Sequence, residues 1–252
     1  MTELAYLPDM PAAYVRDFRA RITALPPGGV VLERTYFYPT GGGQPADHGE
    51  LRAPGGRPLA VVDVTKSGPA VVHRLSGPLE AMRALSVGGE VEARIDWERR
   101  YRHMRLHTGQ HLLSACIYRR CGVRTLRAAL AGAGATLDLE RPLPPEAREA
   151  LEGDVREAIE ASRPVSIRSL PRGEWDAQPD AGRSGLVPLA PQVDPVRVVV
   201  IDGTDQCPCG GTHVRSTGEI GGLRLRPFAP RPDGAVRVAF SLEGGAPSTP
   251  SE

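Results

Sequence analysis

No sign of charge dominates this sequence. Its 31 lysines and arginines stand against 30 aspartates and glutamates, a net charge of +1. No global field therefore draws the chain to a polyanion, and any such binding has to come from local patches. No apolar run approaches the ~20 residues that a membrane helix needs. The opening residues, MTELAYLPDM, lack the basic stretch and apolar core of a secretory signal. Four cysteines (Cys116, Cys121, Cys207 and Cys209) are too few in 252 residues for a disulfide framework. No internal repeat recurs at a fixed period. Disorder is excluded as well, because hydrophobic residues make up 40% of the chain and charged residues 24%. These absences predict a folded cytoplasmic protein with reduced thiols.

Glycine (29) and proline (25) are plentiful, which predicts many turns and a strand-rich part. From about Val30 to Val91, short apolar runs alternate with turn residues. VVLERTYFYP, LAVVDVT, AVVHRL and EVEARID read as strands, and GGGQPADHGEL as a glycine-rich turn. Short strands so closely spaced suit a small β-barrel or sandwich. The pattern changes near Asp96. DWERRYRHMRLHTGQHLLSACIYRRCG places Tyr101, Met104, Leu112 and Ala115 at helical spacing, with Asp96 to cap the start and Gly122 to stop the end. A second helix is expected in PPEAREALEGDVREAIEASR. PVSIRSL, VRVVVIDG and AVRVAFSL read as strands, and EWDAQPDAGRSGLVPLAPQVD as a loop. The expected fold class is α+β, with domains at 1–95 and 96–243 and a disordered tail at 244–252.

Chemistry concentrates in two stretches. HTGQH holds His107 and His111 four residues apart, so both imidazoles emerge on one helix face and can reach one ion. CGGTH offers Cys209 and His213 at similar spacing. Each pair alone is weak. Together they offer a mixed nitrogen and sulfur shell that suits zinc. His103 lies one turn upstream of His107, where a polar supporting role competes with ligation. Cys207 has the wrong spacing, and Cys116 and Cys121 read as small buried hydrophobes. The pairs lie about a hundred residues apart, which points to a metal added to a folded scaffold for a task. An open position for water would make it catalytic.

HTGQHLLSA, CGGTHV followed by TGEIG, and YPTGGGQPADHGEL together resemble the alanyl-tRNA editing proteins of the free-standing AlaX type, relatives of the editing domain of alanyl-tRNA synthetase. The resemblance runs from about Tyr36 to Phe240. It implies an N-terminal small β-barrel followed by an α+β editing domain like that of threonyl- and alanyl-tRNA synthetases. It implies one zinc ion bound by His107, His111, Cys209 and His213. It further implies hydrolysis of seryl- or glycyl-tRNA(Ala), acting in trans. The glycine-rich motif fits the medium form, and the length leaves no room for an aminoacylation domain with its ATP site.

Within that reading Thr40 is the partner expected for the seryl hydroxyl, its alternative being a turn residue that caps the glycine loop. Gly41, Gly42 and Gly43 would let backbone approach the substrate closely. Gln44 would donate to a carbonyl or ribose oxygen. Asp205 would orient a ligand, contact the substrate amine or cap a turn. Arg99, Arg100, Arg102 and Arg105 at the start of the helix, Arg119, Arg120, Arg124 and Arg127 after it, and Arg224 and Arg226 would form phosphate contacts; Arg102 and Arg105 are the pair expected to bind substrate. The segment RTLRAALAGAGATLDL shows no Gln, Asn or Ser, so a polar side chain needed there must come from elsewhere. The rival readings are a non-catalytic zinc module that binds RNA, and a zinc hydrolase for another aminoacyl-tRNA or small ester. The residues do not choose between a monomer and a homodimer.

Overall fold

The computed structural model describes residues 1–144, 146–178, 189–231 and 235–244. The expected tail lies outside them except for Gly244. The chain divides into two compact units, Met1–Tyr101 and Arg102–Glu252.

The first unit is built from β1 (Asp17–Ala24), β2 (Gly29–Leu32), β3 (Gly49–Arg52), β4 (Leu59–Ser67), β5 (Ala70–Ser76) and β6 (Glu90–Ile95). They pair in the order β1-β2-β5-β4-β3-β6, and β6 returns to β1, so the sheet closes into a barrel. Closure leaves no open sheet edge. Alternation does the rest. On β1 Phe18, Ala20 and Ile22 point inward, and on β6 Val91, Ala93 and Ile95 do the same. With Leu32, Leu59, Val61 and Val64 they form one core, each large side chain contributing about 1.5–3 kcal/mol by leaving water.

Gly49 begins β3 where no side chain fits. A Cβ there would lie 2.1 Å from the Arg94 carbonyl oxygen and 2.9 Å from the Phe37 ring. Two residues earlier, Asp47 is fully buried and ion-paired to Arg100. Arg100 also donates to the carbonyls of Ala13 and Tyr36, and the Asp47 carboxylate accepts from the Tyr38 amide at 2.6 Å. The glycine-rich stretch is therefore half turn and half barrel wall.

The long helix α1 (Trp97–Cys121) carries the division between the units within it, after Tyr101. Asp96 caps it by accepting from the Arg99 amide at 3.1 Å, and Gly122 ends it at φ +62°. The second unit continues with β7 (Thr125–Ala131), β8 (Gly134–Leu139), α2 (Ala147–Glu160), β9 (Val165–Leu170), β10 (Val196–Ile201), β11 (Asp205–Pro208), β12 (Leu223–Leu225) and β13 (Val236–Leu242). One antiparallel sheet runs β12-β13-β8-β7 and a smaller one β9-β10-β11. The fold is thus mixed α+β.

One local expectation changes, and one segment left unassigned takes a form. The plain segment after α1 is the β7–β8 hairpin, turned at Gly132 with φ +55°. Overlapping the start of the stretch read as a loop, Arg172–Asp176 forms a short helix that buries Trp175 against Val196 and Val198; residues 179–188 of that stretch lie outside the described ones.

From His103 to Ser114, α1 is buried on every side. Met104, Leu106, Leu112 and Leu113 are fully enclosed, as a central helix requires. Yet His103, Arg105, His107, Thr108, Gln110, His111 and Ser114 are enclosed with them. Buried polar groups have to find partners, and those partners make the site.

Candidate metal centre

α1 brings His107 and His111 to the interior one turn apart. The loop that follows β11 brings Cys209 and His213 to them. The four potential ligand atoms all lie within 4.8 Å of one another. Cys209 Sγ is 3.5 Å from His107 Nε2 and 3.4 Å from His213 Nε2. A tetrahedral zinc site with bonds of about 2.0–2.1 Å to nitrogen and 2.3 Å to sulfur places its donors about 3.5 Å apart. Three imidazoles and a thiolate at these separations fit that ion. His103 and Cys207 lie outside the cluster. Cys207 is buried on β11 opposite Val199, its sulfur 3.7 Å from the Pro208 carbonyl.

Neighbours hold the ligands in place. Asp205 Oδ2 is 3.4 Å from His111 Nδ1. A carboxylate there keeps the proton on Nδ1 and leaves Nε2 to coordinate. Thr108 Oγ1 lies 3.1 Å from His213 Nδ1 and accepts from the Val214 amide at 3.2 Å, which holds the second ring in position. The Gly211 amide donates to Cys209 Sγ at 3.3 Å. The Cys209 main chain is clamped to Arg197: the Cys209 amide donates to the Arg197 carbonyl, and the Arg197 guanidinium donates to the Cys209 carbonyl.

The electrostatics agree with ligation. Burial alone would raise the Cys209 thiol, but His107 and His213 beside it overcome this and hold it well below the usual thiol range. Burial opposes a charge on His111, yet Asp205 and Cys209 push it up to about 10. His213 is pushed down to about 3, chiefly by burial and then by His107. The metal-free site thus pairs a thiolate with a protonated His111, whose proton a metal would displace.

Sequence reasoning assigned no role to Thr108, which sits between the two helix histidines. It also missed a buried chain in which Gln110 Nε2 donates to Ser114 Oγ at 3.1 Å and Ser114 Oγ meets Thr125 Oγ1 at 2.9 Å. Thr125 supplies polarity to a segment that looked devoid of it. Being inside HTGQH was the one signal for Thr108 and Gln110; nothing local marked Thr125.

The remaining expected residues lie elsewhere. In the barrel unit Thr40 is exposed and its Oγ1 accepts from the Ala46 amide at 3.0 Å across the glycine loop. Gly41 and Gln44 close that loop by bonding to each other in both directions, and Gly42 and Gly43 take φ values of +55° and +82°. Gln44 is only 1% exposed, so its side chain does not stand at the surface as a donor to substrate. Arg105 is a correction. It is 3% exposed, and its Nε and Nη2 donate to the Ile220 carbonyl at 3.1 and 2.8 Å. It ties α1 to the TGEIG turn (Thr217–Ile220) and offers nothing to a phosphate. Arg100 is likewise internal, so the basic cluster at the start of α1 is smaller than its sequence implies. Arg102 is half-buried. Farther along, Arg120 pairs with Asp154 and Arg224 with Glu243.

Residues 12–99 match the model of the class II (A) tRNA synthetases, and residues 196–237 match that of the threonyl and alanyl tRNA synthetase second additional domain. The alanyl-tRNA editing protein AlaX-M of Methanosarcina acetivorans is 32% identical over 96% of this chain and 99% of its own length. The chain belongs to the AlaX family of alanyl-tRNA editing proteins. Alanine–tRNA ligases are similar too: that of Pyrobaculum neutrophilum is 38% identical over 91% of this chain, and that of Ignicoccus hospitalis 37% over 90%. The chain spans only 26% and 25% of those two ligases. The AlaX match therefore covers both the barrel unit and the His/Cys cluster. Among the described residues no helix is long and apolar enough to cross a membrane.

Proposed function

We propose that this chain hydrolyses the ester of tRNA(Ala) wrongly charged with serine or glycine, at a zinc ion held by His107, His111, Cys209 and His213. One observation carries the reading: four separated residues converge to zinc-like spacing in a chain that aligns with AlaX-M from end to end. When bound, zinc supplies a Lewis acid that can orient the substrate or activate water. The chain's own residues do the rest. Asp205 and Thr108 hold the His111 and His213 rings in place, and His111, pushed up to about 10, gives up its proton when a metal binds. Asp205 thereby acts as a positioning residue.

Discrimination is assigned to Thr40. Its oxygen already accepts from Ala46, which leaves the hydroxyl proton to donate to a seryl oxygen. A site with such a group rejects alanine because the group would go unpaired. Gly42 and Gly43, in left-handed conformations, let backbone pass close to the aminoacyl group. Gln44 braces the loop from beneath. The protein acts on tRNA in trans, in the cytoplasm, and needs no ATP because ester hydrolysis runs downhill.

The test is timed deacylation of seryl-, glycyl- and alanyl-tRNA(Ala), with and without a zinc chelator. Loss of the seryl or glycyl ester that the chelator stops is expected, with alanyl-tRNA spared. Absence of any deacylation would end the enzymatic reading and leave a zinc module that binds RNA. Thr40→Val should lower the ratio of seryl to alanyl hydrolysis while zinc content stays the same; an unchanged ratio removes Thr40 from discrimination.

A further inference from the structure

The outer wall of the barrel carries a charge pattern with its own symmetry. Side chains that point away from the core on β1, β6 and β3 stand in register across the three strands. In one row Asp17 lies beside Arg94, and Arg94 beside Glu50. In the next, Arg19 lies beside Glu92, and Glu92 beside Arg52. Charge therefore runs minus, plus, minus in the first row and plus, minus, plus in the second. The face is open to solvent: the Arg19, Arg52 and Arg94 side chains are 67%, 53% and 72% exposed. Arg94 pairs with Asp17 at 2.6 Å, and Glu92 is shared by Arg19 at 2.8 Å and Arg52 at 3.0 Å. Glu50 is exposed and makes no ion pair among the described residues. A groove of about 450 Å³ is lined by both rows and, between them, by Phe18, Ala93 and Leu51.

Pairing within a row needs only alternation along that row. The inversion from one row to the next does something more, because it makes the face complementary to its own copy. A two-fold axis lying in the groove, across the strands, turns the first row of one copy onto the second row of the other. Asp17 then meets Arg19, Arg94 meets Glu92 and Glu50 meets Arg52, each contact occurring twice, as in any isologous interface. All join opposite charges. An axis along the strands would instead set Asp17 on Glu50 and Arg19 on Arg52, like on like. The pattern thus favours one orientation and opposes the other.

We propose that this face of the barrel docks a second copy of the chain, the two grooves facing each other, in a weak, salt-sensitive dimer. The two rows sum to zero charge, so the faces do not repel at a distance. The grooves leave room for the long side chains to turn toward their partners and for bridging water. A contact this small and this charged belongs with transient interfaces, so it forms in concentrated protein and dissociates on dilution.

The experiment is sedimentation equilibrium of the full zinc-loaded chain from micromolar to millimolar concentration. It is run in about 50 mM and about 500 mM salt, between which the Debye length falls from about 14 to about 4 Å. Wild type should dimerise in low salt, and the higher salt should weaken the dimer roughly tenfold or more. Glu50→Arg and Arg52→Glu should each stay monomeric, because each sets like charges against its own copy. Mixed one to one, they should recover the wild-type association, since one copy then carries two positive groups at that corner and the other two negative ones. Zinc content and circular dichroism of each variant should match wild type. Glu50 has no ion pair inside the barrel to lose, so Glu50→Arg keeps the test intact even where Arg52→Glu does not fold. A wild type that stays monomeric at every concentration in low salt would overturn the assignment and leave the face to solvent or to another partner. So would a dimer that survives Glu50→Arg, or a mixture of the two folded variants that does not associate.

Discussion

At the scale of residues, the site is a division of labour between side chains that touch the ion's place and side chains that hold those in turn. Cys209 lies among three imidazoles; Cys207, two residues away, packs into β11. Cys209→Ala should therefore release zinc, and Cys207→Ala should retain it, as measured by metal content after gel filtration. The opposite result would reverse the ligand assignment. Asp205→Asn keeps the shape but removes the charge that fixes His111. Such supporting partners are worth about 10–100-fold in metal affinity. Competition with a chromophoric chelator should show a loss in that range; unaltered affinity would deny Asp205 its positioning role.

At the scale of elements, α1 explains why the ligands meet. A helix with a solvated side could have carried the histidines to the surface. This one is enclosed from His103 to Ser114, so each polar side chain needs an internal partner and gains a fixed direction. Its start depends on Asp96, whose carboxylate accepts from the Arg99 amide. Asp96→Ala should cost about 1 kcal/mol of stability, read from urea unfolding, while zinc content is preserved. A loss of zinc at unchanged stability would mean that the cap governs the site and not the helix. The TGEIG turn also belongs to this scale. Glu219 accepts from the Arg215 and Ser216 amides, Thr217 donates to the Ala158 carbonyl, and Ile220 takes both bonds from Arg105. The motif braces α1 from the side.

At the scale of the whole molecule, the barrel unit carries its own response to pH. His73 is fully buried, with Nε2 2.8 Å from Thr35 Oγ1 and Nδ1 3.3 Å from the Val30 carbonyl. Burial pushes its pKa down to about 4. The unfolded chain takes up a proton near pH 6.5, and the folded chain does so only near pH 4. Stability should fall as pH drops through that window, by on the order of 3 kcal/mol in total, and level off below it. Unfolding curves at a series of pH values should show this slope in wild type and a shallower one in His73→Gln. Equal slopes would place the acid sensitivity elsewhere.

Much of the chemistry was legible locally. HTGQH and CGGTH state their ligands because helix periodicity and a short glycine loop fix spacing within a few residues. Asp96 and Gly122 mark the ends of α1 for the same reason, and alternation marks the barrel strands β4, β5 and β6. Other features depended on residues far apart in the chain. Nothing within reach of Arg105 in sequence says that a carbonyl 115 residues away will take its guanidinium, so it read as a basic surface group. Arg100 read the same way, although its partner Asp47 is buried beside it. Thr108 and Asp205 acquired their roles only when the Cys209–His213 loop and β11 were brought against α1. Sequence by itself determined which atoms are available to hold a metal, since donor chemistry and short spacing are properties of the chain. Tertiary structure decided which donors converge, which arginines remain for a ligand and what fixes each imidazole, because burial and long-range pairing exist only once the chain has folded.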